Sequence, residues 1–155
     1  MADRIRTHFP PLSAIETMLK TDASRDERLQ AICQLLHEQV AHYHWVGFYL
    51  ADPLRRELHL GPFVGAPTEH TLIPYGRGIC GQAAETLTTF VIQDVAAQDN
   101  YLACSLEVKS EIVVPVFKAD QLVAELDIDS HHPSAFKNAD EAFLLRVCDL
   151  VSAIF

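Results

Sequence analysis

Apolar residues recur at helical spacing in some stretches of the chain and at alternate positions in others, so the pattern predicts a mixed architecture. Leu29, Ile32, Cys33, Leu36 and Val40 share one stripe, predicting a helix from about Ser24 to Ala41 with Ser24 as its cap and Glu27 three residues on. Ser13 and Glu16 repeat that arrangement ahead of a shorter helix ending near Lys20. Before it, Phe9-Pro10-Pro11 closes an extended lead-in over residues 1–12, since proline lacks a donor and restricts its predecessor. A last helix starts at Asn138 or Ala139 and buries Phe143, Leu144, Val147, Val151 and Ile154, with Cys148 beside that stripe.

Residues 43–51, YHWVGFYLA, are aromatic and β-branched and predict a strand with Tyr43, Trp45, Gly47 and Tyr49 on one face. His44, Val46, Phe48 and Leu50 form the other face, the better candidate for the core. Asp52 to Arg56 reads as a turn and Glu57 to Leu60 as the partner strand, broken by Gly61-Pro62-Phe63. After a polar loop comes an extended piece, His70 to Pro74. A glycine-rich turn then presents a helix with Cys80 in its first turn, where the helix dipole favours a thiolate. The run GRGICG lacks the spacing of a phosphate loop. A short strand over Thr89 to Asp94 and a polar connection from Val95 to Cys104 precede two further strands joined through Lys118-Ala119-Asp120-Gln121. The order of elements predicts an α+β fold, a central antiparallel sheet with helices packed on its faces, in a single domain over residues 1–155.

The final hairpin carries the chemistry. Alternation puts Leu122, Ala124, Leu126 and Ile128 on one face and Glu125, Asp127 and Asp129 on the other. On pattern alone the acids read most simply as the solvated face of an antiparallel sheet. If residues 110–113 pair with this strand, however, Glu111 falls beside Asp127 and Asp129. Three carboxylates near the thiol of Cys104 would attract a cation and raise at least one acid's pKa by repulsion.

Composition narrows the partners. A net charge of −9 opposes nucleic acid and anionic membranes and suits a cationic or zwitterionic small ligand. No apolar run is long enough to span a bilayer and no secretory leader is evident, so a cytoplasmic protein is expected. The four cysteines, at 33, 80, 104 and 148, lack zinc-site or disulfide-scaffold spacing, and Cys33 and Cys148 read as buried and inert. His37, His42 and His44 specify no complete metal site, and His59, His131 and His132 read as turn or surface residues. No cofactor or metal is expected.

The blocks Trp45 to Tyr49, Leu60 to Phe63, Ile73 to Gly81, Ala103-Cys104, Lys109 to Pro115 and Leu126 to Ser130, in order from about residue 24 to 155, strongly resemble the GAF-domain free methionine-(R)-sulfoxide reductases. The resemblance implies a GAF fold around a small pocket and reduction of free methionine-(R)-sulfoxide, with thioredoxin or a small thiol as reductant. It also implies Cys104 as attacking thiol, Cys80 as a second and less central catalytic cysteine, Glu111, Asp127 and Asp129 as substrate-binding carboxylates, and Trp45 and Tyr49 as the aromatic wall. Thiolate attack on the sulfoxide sulfur, with an acid protonating the oxygen, yields methionine and a cysteine sulfenic acid. Which carboxylate donates is left open, as is the oligomeric state, with which a homodimer is compatible. The sequence departs from the family where a resolving cysteine usually precedes the Ile-Pro turn, because His70 stands there, and where Asp usually follows the attacking cysteine, because Ser105 does. Resolution by Cys80, resolution by an external thiol and loss of efficient turnover are then the three outcomes, and retained activity is the expected one. The alternative is a non-catalytic GAF module binding a small amino-acid-like ligand.

Overall fold

In a computed structural model, which describes residues 9–102 and 105–155, the chain runs through α1 (Leu12–Leu19), α2 (Arg25–Gln39), β1 (Trp45–Asp52), β2 (Glu57–Val64), β3 (Leu72–Pro74) and α3 (Gly78–Thr86). It continues with β4 (Phe90–Ile92), β5 (Ser110–Lys118), β6 (Gln121–Ser130) and α4 (Asn138–Val151). The strands form one antiparallel sheet in the order β3-β2-β1-β6-β5-β4. β1 and β6 therefore lie at its centre. One face carries Val46, Phe48, Ile112, Val114, Leu126 and Ile128, which pack with α1, α2 and α4 in the larger core. The other face carries Trp45, Tyr49, Leu58 and Val113, covered by Ile79, Cys80, Ala83 and Ala84 of α3. The α+β architecture is the expected one.

Local signals held where they concern the chain's nearest neighbours. Ser24 Oγ accepts the Glu27 N–H at 3.1 Å and caps α2. The β5–β6 hairpin turns through Ala119 and Asp120, both at positive φ (50° and 64°), the twist that a two-residue connection requires.

Other expectations are corrected. Pro11, not Ser13, occupies the cap of α1, so the helix starts at Leu12 with no capping side chain. The extended lead-in ends at Pro11, and residues 1–8 lie outside the described residues. α2 ends at Gln39 because Val40 is extended. β2 continues through Gly61-Pro62-Phe63 to Val64. Gly47 pairs with Phe63 and Tyr49 with Leu60, so β2 carries one extra residue there, and β3 pairs only with Glu57, Leu58 and His59. Pro62 thus sits at a bulge on an unpaired edge, where its missing donor costs nothing. His59 belongs to β2, not to a turn. A second irregularity, with Val116 opposite Ala124 and Phe117 opposite Leu122, adds a residue to β6 and moves Leu122 to the α3 side of the sheet. Tyr43 precedes β1 and is buried in the larger core, away from Trp45 and Tyr49. Cys33 and Cys148 are buried as expected, and burial raises both thiols far above their ordinary range.

Asp140 ties α4 to the entry of β1. Its Oδ1 accepts the Tyr43 hydroxyl at 2.8 Å and lies 2.7 Å from His42 Nε2, while its Oδ2 accepts the Lys137 N–H at 2.8 Å. His42 therefore lies in a turn engaged with Asp140 rather than sharing a strand face with His44. Burial would raise the Asp140 carboxyl, but the bonds from His42, Lys137 and Tyr43 outweigh it and hold the group below its usual range. A depressed carboxyl contributes stability that is present above its unfolded pKa and lost as pH falls through the folded one. Asp140→Asn should cost about 2–3 kcal/mol at neutral pH, read from the urea midpoint at unchanged slope, with the deficit shrinking below roughly pH 4. A deficit constant from neutral to acid pH would show that the charge contributes nothing.

Candidate active site

The register of the central strands arranges the candidate residues as a grid on the α3 side of the sheet. Trp45, Asp129 and Glu111 form one row across β1, β6 and β5; Gly47, Asp127 and Val113 form the next; Tyr49, Glu125 and Pro115 form the third. Partners in such a row sit with Cβ atoms about 5 Å apart. The acids are not a solvated face: Glu111, Glu125, Asp127 and Asp129 are all buried. The alternation is as predicted, and the burial follows from α3 and its flanking loops closing over this side.

Two glycines permit that closure. A Cβ on Gly47 would lie 2.4 and 2.7 Å from carbons of the Trp45 ring, so the glycine leaves the indole room to lie along the strand. The ring stacks on Phe63 at 5.4 Å between centroids and donates through Nε1 to the Ala66 carbonyl at 3.0 Å. A Cβ on Gly81 would lie 2.6 Å from the Pro74 carbonyl oxygen, so only glycine allows α3 to press this closely on the end of β3.

Tyr49, His70, Ile73, Gly78, Ile79, Cys80, Leu102, Glu111 and Asp127 line a cavity of about 250 Å³, mouth included. Trp45 and Asp129 line an adjoining cavity of about 380 Å³ with His44, Ser105, Glu107, Val108 and His131. The structure thus joins Tyr49, Cys80, Glu111 and Asp127 in one cavity and places Trp45 and Asp129 in its neighbour on the same sheet face. Cys104 lies outside the described residues. The chain leading toward it is held by Asn100, whose Oδ1 accepts the Gly78 N–H and whose Nδ2 donates to the Gly76 carbonyl, each at 2.8 Å. Beyond it, the Lys109 N–H donates to the Ser130 carbonyl at 2.8 Å.

Asp127 is the centre of the first cavity. It accepts hydrogen bonds from the Cys80 thiol and the Glu111 carboxyl, an arrangement that needs a proton between the two acids. Burial raises Asp127, and those two bonds partly offset the rise. Cys80 does stand in the first turn of α3, but the thiolate expectation fails. Burial first, then Asp127, Glu111 and Glu125, push its thiol well up, and these fields exceed that of a short helix.

Two residues escaped sequence reasoning. His70, noted there only as standing where a resolving cysteine is usual, lines the cavity, and its carbonyl accepts the Tyr49 hydroxyl at 2.9 Å. Glu125 stands out in the sequence only as a member of the acidic face, yet it is fully buried and neither of its carboxyl oxygens has a hydrogen-bond partner among the described residues. The signal for Glu125 was its place between Tyr49 and Pro115 in the middle strand.

Burial, followed by the field of Asp127, raises Glu125 well above the usual carboxylate range. A carboxyl raised on folding contributes stability that is fully present below its unfolded pKa and lost as pH rises toward the folded one. Glu125→Met should therefore exceed the parent in stability by roughly 1–3 kcal/mol at neutral pH, the advantage narrowing toward about pH 4. Chemical denaturation at several pH values checks this; an advantage independent of pH would mean that Glu125 does not titrate on folding.

The GAF domain family model matches residues 24–155. The free methionine-R-sulfoxide reductase of Escherichia coli strain K12 is 39% identical over 113 residues, covering 73% of this chain and 67% of that protein. Among solved structures, a free methionine-R-sulfoxide reductase from Neisseria meningitidis in complex with its substrate superposes with a TM-score of 0.88 at 35% identity, covering 96% of this chain and 93% of that one. The type II enzyme of the same name from Thermoplasma acidophilum gives 0.80 at 36% identity, covering 90% and 94%. With the family model spanning most of its length and these relatives matched along it, the chain belongs to the GAF-domain family of free methionine-R-sulfoxide reductases.

Proposed function

We propose that the protein reduces free methionine-(R)-sulfoxide to methionine, with Cys104 as the attacking thiol. The observation that carries this reading is the buried Cys80–Asp127–Glu111 set, its sulfur and carboxylate oxygens within 4.8 Å of one another on the floor of a small cavity, in a chain 35% identical to a reductase solved with its substrate. Such a floor has a proton to give and negative charge to hold an ammonium, the two things a zwitterionic sulfoxide requires.

Cys104 sulfur attacks the sulfoxide sulfur while Glu111, the donor to Asp127, passes its proton to the departing oxygen. The sulfoxide sulfur gains two electrons, the cysteine sulfur loses two, and the oxygen leaves on Cys104 as a sulfenic acid. Asp127 and Asp129 hold the substrate ammonium, and Tyr49 and Trp45 wall the methyl and thioether portion. Cys80 then attacks the sulfenic sulfur, its proton passing to Asp127, which already accepts the thiol hydrogen bond. Asp127 hands that proton to the departing hydroxyl, which leaves as water, and a Cys80–Cys104 disulfide remains for thioredoxin or a small dithiol to reduce. The residues flanking the attacking cysteine support this reading, since Leu102 lines one cavity and Ser105 the other.

NADPH consumption in a thioredoxin-coupled assay with the R epimer should be abolished by Cys104→Ser, and kcat should fall about 10²–10⁴-fold in Glu111→Gln. Cys80→Ser should still yield one methionine per chain in a single turnover while thioredoxin-coupled cycling slows. Activity that survives in Cys104→Ser, or none with either thioredoxin or a small dithiol, would remove the reductase reading. Ligand-dependent thermal stabilisation that survives Cys104→Ser with no methionine made would instead identify a binding module.

A further inference from the structure

The floor of the cavity has the composition of a metal site as well as of a substrate site. Cys80, Glu111 and Asp127 come from α3, β5 and β6, all three are buried, and their candidate ligand atoms lie within 4.8 Å of one another. Ligand atoms around a tetrahedral zinc ion stand roughly 3.5 Å apart, so small side-chain adjustments would close the set on an ion. An independent sign is Asp127 Oδ1, which is buried and has no hydrogen-bond partner among the described residues although Asp127 lines the cavity. No lysine or arginine is among the described residues of the lining. The same lining includes His70, whose ring stands outside that 4.8 Å group and which a change of side-chain rotamer would bring in as a fourth ligand.

We propose that Cys80, Glu111 and Asp127, with His70 completing the set, bind a thiophilic divalent cation of the Zn²⁺ class, and that the bound ion excludes the sulfoxide substrate. The ion replaces the thiol proton of Cys80 and the proton shared by the two acids, so binding releases protons to solvent. It occupies the negative charge that would otherwise meet the substrate ammonium. No electron moves, and chelation restores the free site. The cation site stands on the cluster itself; only its consequence for turnover rests on the reductase reading.

The Asp52, Glu57 and His59 group on β1 and β2 is the other cluster of ligand atoms among the described residues, and its partial exposure makes it the natural competitor. Titration of freshly reduced, metal-free, full-length protein with ZnCl₂ alone should give one ion per chain with release of protons, measured by calorimetry in buffers of different ionisation heat. Affinity should fall about tenfold or more in Cys80→Ser and in Asp127→Asn, both checked for an intact thermal transition, and should not change in His59→Ala. With CoCl₂ as probe, a thiolate-to-cobalt absorption band should appear in the parent and in His59→Ala and be absent in Cys80→Ser. His70→Ala should keep the band with weaker binding. Substoichiometric zinc binding, or a cobalt band undiminished in Cys80→Ser, overturns the site. In the coupled assay zinc should raise the KM for the sulfoxide and chelator should reverse the effect. An ion that binds as described to a protein with no reductase activity would leave the metal site standing and sink only the reading of the enzyme.

Discussion

Burying carboxyl groups on the middle strand of a sheet is costly, because a charge removed from water needs a partner and the described residues around the cavity supply no cationic one. The structure meets this constraint by sharing protons. The Cys80 sulfur and oxygens of Glu111 and Asp127 stand within 4.8 Å of one another, and burial pushes both the Cys80 thiol and the Asp127 carboxyl toward their neutral forms. Placement on β5 and β6 makes the arrangement rigid, since both strands are paired along their length and backed by the larger core. A site on strand interiors holds its geometry better than one on loops.

The rest of the α3 side follows from enclosing that cluster. The helix must approach closely enough to bring Cys80 onto Asp127, which sets the demand for glycine at 81. The neighbouring cavity is walled by Trp45, which lies over Gly47 against Phe63. Asn100 then fastens the following loop to the start of the helix through three bonds, to Gly76, Gly78 and Gln82. The two sides of the sheet thus have separate duties: one supplies the apolar mass that stabilises the fold, and the other sacrifices some of that stability to hold ionisable groups out of water.

What could be read from the sequence divides along the range of the forces concerned. The Ser24 cap, the β5–β6 turn and the alternation of β6 depend on residues a few positions apart, and each was legible. The pairing that brings Glu111 opposite Asp129 followed from a single hairpin and was legible too. The burial of the acids was not, because the helix covering β6 begins at Gly78, more than forty residues upstream of Asp127. The same distance defeated the reading of Cys80. Its helix position argued for a thiolate, but the dominant fields belong to β5 and β6. Pro62 and Leu122 failed for another reason: each lies at an extra residue in a strand, and an insertion of one residue leaves no mark in a two-residue period. At Pro11 a restricted backbone angle opened a helix that Ser13 was better suited to cap.

Glu125 shows what the site asks of the fold. Its oxygens lack partners among the described residues, it is fully buried, and it stands one alternation from Asp127, so a charge there would act against the ionisation of Asp127 through a medium of low dielectric constant. Held neutral, it removes that opposition and leaves Asp127 as the preferred seat of negative charge in the cluster. An apolar residue at 125 would do the same electrostatically at neutral pH, and with less cost to stability. The difference is that an acid can take a negative charge when a cation enters the cavity, whereas an apolar side chain cannot. The cavity floor itself is made by Cys80, Glu111 and Asp127, and Glu125, outside that lining, acts on it through the field it would exert on Asp127 rather than by touching the occupant.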